Sequence, residues 1–234
     1  MLDVEGLEAS YHARPVLREI SFTVSAGECV AVVGTNGAGK SSLFRALLNL
    51  VDMDGAISLH GTPIAGQPTY RIGRQIGYVP QEREIFSTLS VEENIRIAGA
   101  TSARARELLS KSSVLGDPKI WGRSASALSG GQQQALAILR SVARQPDVLL
   151  LDEPLEGLAP IAVDEVIELI AGLRVDSTMA ILWAEHSIER LSELCERSLV
   201  IQGGELKYDG ELNQLQNKER LGQLLGLETT GTTA

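Results

Sequence analysis

Apolar residues along this chain change their spacing repeatedly, and each change predicts a different kind of element. Leu2–Tyr11 and Val16–Val24 are extended, partly alternating runs separated by a His-Ala-Arg-Pro turn, the pattern of an antiparallel strand pair. Glu28–Val33 (ECVAVV) is a short continuous apolar run, as in strands covered on both faces. It passes into GTNGAGKSS and then into LFRALLNLV, which has helical spacing. Ala56–His60 and a segment ending at Gly77–Pro80 predict two more strands. Between about Ile85 and Ala143 the spacing becomes helical, in VEENIRIAGA, in ARARELLSKS and in the run that Ser129 opens. After Pro146 strands and helices alternate: VLLL, a helix near Val163–Leu173, a strand Met179–Trp183, a helix Ser187–Cys195 and a strand Ser198–Gln202. Glu211–Leu225 is amphipathic and predicts a helix, and the final TTGTTA predicts a disordered end. The expected architecture is α/β: one domain over 1–225 and a flexible tail over 226–234. Its core spans about 1–84 and 144–225, and a helical insertion spans about 85–143.

Composition narrows the function classes. The 234 residues include 30 acidic and 21 basic side chains, a formal net charge of −9. That balance disfavours sequence-independent nucleic-acid binding, which needs clustered Lys and Arg. It leaves nucleotides open, because one local nest of backbone amides can hold phosphates whatever the net charge. A hydrophobic content of 44% with 22% charged residues is that of a folded globular chain. No signal peptide is visible in MLDVEGLEASYHARP, and no apolar run approaches the roughly 18 residues of a membrane helix. Cys29 and Cys195 lie far apart in sequence and read as two buried thiols of a reducing compartment rather than a disulfide or a metal site. Three dispersed histidines give no zinc spacing.

Chemistry concentrates in three strings. Gly34-Thr35-Asn36-Gly37-Ala38-Gly39-Lys40-Ser41, followed by Ser42, matches G-x-x-x-x-G-K-[ST] between an apolar strand and a helix. Glycines let the backbone fold around an anion with its N–H groups inward, and the following helix aims its positive end at the same point. Lys40 then supplies a point charge to phosphate oxygens and Ser41 a hydroxyl for Mg²⁺. VLLLDEP (148–154) is a buried strand delivering Asp152 and Glu153 at its carboxyl end, where open α/β sheets bind ligands. Asp152 suits Mg²⁺, directly or through a water, and Glu153 suits a general base for an attacking water. Leu128-Ser129-Gly130-Gly131-Gln132 opens a long helix. A plain N-cap accounts for Ser129, yet two glycines in a first turn are costly, so something must approach that backbone closely. An uncharged first turn is also a second anion site. Two such sites on one domain imply that two chains share each nucleotide.

Together, LSGGQ, GTNGAGKSS and VLLLDEP resemble the ATP-binding subunit of an ATP-binding-cassette (ABC) transporter over essentially residues 1–225. The resemblance implies a P-loop NTPase fold with a RecA-like core sheet, an N-terminal antiparallel β subdomain and a helical insertion. It implies ATP and Mg²⁺ as ligands and ATP hydrolysis as the activity. Tyr11 matches the aromatic that stacks on adenine. Gln81, in YVPQ, matches the glutamine that senses Mg²⁺ and the γ-phosphate. His186, in WAEHS, matches the histidine that contacts the γ-phosphate. In this family two subunits, alike or different, pair head to tail. Each ATP lies between one phosphate loop and the other subunit's Ser129–Gly131 turn, with Gln132 beside it. Transmembrane permease subunits, and indirectly a solute-binding protein, are the implied partners, at the cytoplasmic face of the membrane. VPQEREIFSTLSVEENI and DEPLEGLAP are similar to the ATPases of branched-chain amino acid and urea importers. Ala159 stands where an aspartate is common, Leu155 where Thr is usual, and Glu82 where a small residue is frequent. A soluble ABC ATPase of the cluster-assembly type is the alternative that the length allows.

Overall fold

A computed structural model describes residues 1–175, 177–186 and 188–226. In chain order the elements are β1 (Leu2–Tyr11), β2 (Arg14–Val24), β3 (Cys29–Val33), α1 (Lys40–Leu47), β4 (Asp52–Leu59), β5 (Thr62–Pro63), α2 (Thr69–Ile72), β6 (Ile76–Val79), α3 (Val91–Arg96), α4 (Ser102–Ser110), α5 (Pro118–Trp121), α6 (Gly130–Ser141), β7 (Val148–Asp152), α7 (Pro160–Val175), β8 (Ala180–Glu185), α8 (Ile188–Leu191), β9 (Arg197–Gln202), β10 (Glu205–Glu211) and α9 (Lys218–Leu224). They form two compact units. One comprises Met1–Ile72 with the described residues of Ala180–Ala234, the other Gly73–Met179.

The first unit holds two sheets. β2, β1, β4 and β5 pair antiparallel in that order. The expected hairpin is present, and its turn is tighter than expected: His12 and Ala13 alone connect the strands, both at positive φ (47° and 63°). That is the backbone of a type I′ turn, which matches strand twist but normally calls for Asn-Gly. In the second sheet β3 lies between β9 and β8, parallel to both, and β10 extends it antiparallel to β9. Every residue of β3 is buried, and Leu43, Phe44 and Leu47 of α1 and Trp183 of β8 are enclosed with them. Doubly covered strands therefore read as unbroken apolar runs. Arg197 fastens the sheet end: its guanidinium donates to Asp209 at 2.6 and 2.7 Å, to Glu28 at 3.0 Å and to the Thr23 carbonyl at 2.9 Å. These bonds, Asp209 first, hold its pKa above the ordinary guanidinium value.

The second unit carries parallel β6 and β7 together with α3 to α7. Glycine makes two close approaches possible here. A Cβ on Gly77 of β6 would stand 2.7 Å from the Ser141 carbonyl at the end of α6. One on Gly131 of α6 would stand 2.6 Å from the Ala162 Cβ of α7. Asn94, fully buried, organises the loop before α3. Its Oδ1 accepts from the Phe86 N–H at 2.9 Å, while its Nδ2 donates to the carbonyls of Phe86 at 3.0 Å and Ser90 at 2.9 Å.

Several expectations shift. β10 has no counterpart in the apolar pattern, because ELKYDGE alternates only between half-buried and exposed positions and gains its hydrogen bonds from β9. Glu211–Leu225 is not one helix. A 3₁₀ turn over Leu212–Leu215 ends before Asn217, whose side chain accepts from the N–H groups of Glu219 and Arg220 and restarts the chain as α9. α7 begins three residues earlier than the pattern suggests, with Pro160 in its first turn. α8 is a single turn, and Ser192, Leu194 and Cys195 continue it only as hydrogen-bonded turns; Ser187 lies outside the described residues. TTGTTA, expected to be disordered, also lies outside them. Cys29 and Cys195, far apart in sequence, are neighbours in space: their Sγ atoms are 2.6 Å apart.

Candidate functional site

The candidate residues fall on both units. Tyr11, residues 34–42 and His186 belong to the first, and Gln81, Ser129–Gln132, Asp152 and Glu153 to the second.

On the first unit, β3 runs directly into the glycine-rich loop and α1 leaves it. Gly34 is compelled: a Cβ there would meet the Ile201 carbonyl at 2.6 Å and the Ala38 Cβ at 2.9 Å. Gly39 adopts φ 115° as the residue before α1, with the Leu17 side chain 2.9 Å from where its Cβ would be. No side chain caps α1, so the positive end of the helix is directed into the loop. Lys40 is 4% exposed, and its ammonium donates to the carbonyls of Gly34 (2.9 Å) and Thr35 (3.4 Å). His186, at the end of β8, brings Nδ1 within 3.4 Å of that ammonium and 3.3 Å of the Gly34 carbonyl. The ring tautomer decides whether Nδ1 donates to the carbonyl or accepts from the lysine. Lys40 and His186, separated by 146 positions, thus share one carbonyl. Tyr11 closes β1 beside the type I′ turn, and its hydroxyl accepts from Arg45 of α1 at 3.3 Å.

The sequence reading missed the support behind this loop. Gly203 and Gly204, both at positive φ, turn β9 into β10, and the Gly204 N–H donates to the Ala38 carbonyl at 3.0 Å. The Gly204 carbonyl accepts from the Arg18 N–H of β2 at 2.9 Å, and a Cβ on Gly204 would collide with the Val16 carbonyl. The consecutive glycines of IQGGEL were the available signal.

On the second unit, β7 delivers Asp152 at 2% exposure, and the Tyr78 hydroxyl of β6 donates to its Oδ2 at 3.1 Å. Tyr78 is a further residue that sequence reasoning passed over, although it stands three positions before Gln81. Glu153, 8% exposed, has φ 51°, an uncommon backbone state for a residue with a Cβ that fixes its direction off the strand end. Gln81 donates its amide to Glu156. Leu155 is buried, which suits an apolar residue there. Ala159 occupies the cap position of α7: its carbonyl accepts from Ala162 and Val163, and it has no side-chain acceptor to offer.

Ser129 caps α6 in a reciprocal box. Its hydroxyl accepts from the Gln132 N–H at 3.3 Å, and Gln132 Oε1 accepts from the Ser129 N–H at 3.1 Å. Gln132 Nε2 donates onward to the Val114 carbonyl at 3.2 Å. The close approach anticipated for the two glycines has local partners: Ala162 against Gly131, and the Arg83 guanidinium 3.2 Å from a Cβ built on Gly130.

Ser41, Gln81 and Asp152 offer hydroxyl, carboxamide and carboxylate oxygens, the hard-donor chemistry that suits Mg²⁺.

A family model described as ABC transporter matches residues 17–156. The lipopolysaccharide export system ATP-binding protein LptB of Haemophilus influenzae is 33% identical over 232 residues, covering 94% of this chain and 95% of that one. The phosphonates import ATP-binding protein PhnC of Trichormus variabilis is 32% identical, covering 92% of this chain and 95% of its own. Among solved structures, cbiO1 from Clostridium perfringens, part of the ABC transporter complex cbiONQ, superposes with a TM-score of 0.81. It is 25% identical and covers 97% of this chain and 95% of its own.

Proposed function

This chain belongs to the ABC transporter family as an ATP-hydrolysing nucleotide-binding cassette, and from that premise we propose that it powers an importer of a small polar solute. The observation that carries the site assignment is the Lys40 ammonium, nine-tenths buried at the uncapped start of α1 and within reach of both the Gly34 carbonyl and His186.

ATP enters with its phosphates at residues 34–42 and its adenine on Tyr11. The loop amides and the α1 N-terminus hold phosphate oxygens, and Lys40 exchanges its loop carbonyls for the β- and γ-phosphates. Ser41, Gln81 and Asp152 would hold Mg²⁺, which when bound neutralises charge on those phosphates. Tyr78 keeps Asp152 oriented. Glu153 takes a proton from the attacking water as its oxygen bonds to the γ-phosphorus and ADP leaves, and His186 stabilises the charge that develops. Ser129, Gly130 and Gly131, with Gln132 locking the turn, present a second helix N-terminus to the nucleotide of a partner cassette. The working unit is therefore a head-to-tail pair, homo- or heteromeric, that closes on ATP and opens after hydrolysis.

Among the described residues no helix is long and apolar enough to cross a membrane, which fits a cassette whose membrane half is another chain. We place it at the cytoplasmic face of the membrane against permease subunits, with a solute-binding protein upstream. Branched-chain amino acids or urea are the cargo favoured by VPQEREIFSTLSVEENI and DEPLEGLAP. The named relatives serve lipopolysaccharide export and phosphonate import, so they support the ATPase and transport readings and leave cargo to those strings.

Glu153→Gln tests the mechanism. Turnover falls at least about 100-fold while ATP binding persists and a dimer accumulates; hydrolysis at the wild-type rate in that variant removes Glu153 from the role. Affinity capture from solubilised membranes tests the partners. Recovery of permease subunits is expected, whereas recovery of soluble partners alone favours a non-transport cassette.

A further inference from the structure

We propose that Cys29 and Cys195 form a reversible dithiol–disulfide site whose oxidant is a small neutral hydroperoxide. The pair lies outside the nucleotide chemistry. Both thiols are 3% exposed, and their sulfurs stand 2.6 Å apart although 166 positions separate them. Cys29 is the first residue of β3, in register with Ile181 of β8. Cys195 is held by its backbone N–H, which donates to the Leu191 carbonyl at 2.8 Å at the end of the α8 turns. Cys29 is thus fixed within a strand and Cys195 by a turn hydrogen bond, and their sulfurs are already in contact.

Access comes from one side. Cys195 lines a cavity of about 380 Å³ with the buried Leu212 and with Ser192, Glu196, Glu211, Asn213 and Gln216 around them. The five polar neighbours are exposed, so the cavity communicates with solvent. Two carboxylates of its lining, Glu196 and Glu211, repel anionic oxidants such as glutathione disulfide and leave a neutral peroxide unhindered. Cys195 is therefore the residue that reacts first, and Cys29, shielded within the sheet, is the resolving thiol.

The chemistry balances without any other partner. The Cys195 sulfur attacks one peroxide oxygen and breaks the O–O bond. The departing oxygen takes up the thiol proton and leaves as water from hydrogen peroxide, or as an alcohol from an alkyl hydroperoxide, and Cys195 becomes a sulfenic acid. The Cys29 sulfur then attacks that sulfenic sulfur and loses its own proton. The S–S bond forms and the sulfenic oxygen departs as water. The two sulfurs together lose the two electrons that the peroxide gains, and a dithiol reductant reverses the change. Adjacency makes the second step effectively unimolecular and faster than over-oxidation. The bond ties the strand that feeds residues 34–42 to the segment that follows His186, and it closes a long loop, which raises thermal stability.

The test uses the full chain without nucleotide, so its outcome is independent of the proposed ATPase mechanism. Reduced protein is treated with one equivalent of hydrogen peroxide, then denatured and alkylated. The expected product is monomeric, lighter by two hydrogen atoms, carries no alkylated thiol, melts several degrees higher and returns to two alkylatable thiols with dithiothreitol. Peptide mapping links the Cys29 and Cys195 peptides. In Cys29→Ser, peroxide yields Cys195 sulfenic acid, trapped by dimedone, with no internal link. Glutathione disulfide reacts at least about tenfold more slowly than peroxide. Two alkylatable thiols after peroxide, or a link between chains instead of within one, overturns the site; equal reactivity with glutathione disulfide overturns the assigned oxidant.

Discussion

Asn94 shows how much structural work a single buried polar residue does in this chain. Its amide satisfies one N–H and two carbonyls of the 86–90 loop within 3.0 Å. Asn94→Ala leaves the Phe86 N–H without its partner and strips one bond from each of two carbonyls that keep a backbone donor, Leu89 N–H for Phe86 and the residue-94 N–H for Ser90. It is expected to cost about 1–2 kcal/mol, read as a lower urea midpoint with unchanged m-value. The opposite sign is expected at Ala13. Its φ of 63° places a Cβ in the left-handed region, so Ala13→Gly should stabilise by about 1 kcal/mol, a Tm rise of roughly 2–4 °C. Neither residue is visible as special in the sequence. Asn94 sits in an ordinary helical stretch, and the His-Ala-Arg-Pro string announces a turn without saying that two non-glycine residues adopt positive φ. The positions of Lys40 at the start of α1 and of Glu153 just past β7, by contrast, are legible from their strings, because local backbone sets them.

Helix starts divide in the same way. The box at α3 is written in SVEE: the Ser90 hydroxyl and N–H bind the Glu93 carboxylate at 2.6 and 2.8 Å and hold its pKa below the usual carboxylate value. A carboxyl with a depressed folded pKa stabilises above its unfolded pKa and loses that contribution as pH falls through the folded one. Wild type should therefore melt above Glu93→Gln near neutrality, and the gap should close as pH falls through and below the ordinary glutamate range in thermal scans. The α7 start lacks such a device. Ala159 supplies a cap carbonyl and no cap side chain, so Ala159→Asp is expected to add about 0.5–1 kcal/mol to stability by capping N–H groups and facing the helix dipole. A destabilised Ala159→Asp would show that the backbone at 159 cannot present a capping carboxylate. At the strand level, β3 and β7 are readable because both faces are covered, whereas β10 is an edge strand that only its partner defines.

For the whole molecule, ligand binding should register as stability. At a concentration of MgATP one hundred times its Kd, a site that exists only in the folded chain stabilises by about 2.7 kcal/mol. A thermal shift is therefore expected for wild type and for Glu153→Gln, and is expected to vanish in Lys40→Ala; an unchanged shift in Lys40→Ala would detach residues 34–42 from nucleotide binding. By itself the sequence determined the α/β class, the glycine-rich loop between β3 and α1, the acidic strand end and the LSGGQ cap, since each is a contiguous string whose backbone geometry is local. The tertiary structure alone decided which distant residues share an environment. It set His186 beside Lys40, Tyr78 against Asp152, the Gly203–Gly204 turn behind Ala38 and Cys195 against Cys29. Contacts of that kind depend on strand order and register, which emerge when separate apolar runs bury their faces together, and no spacing within one run encodes them.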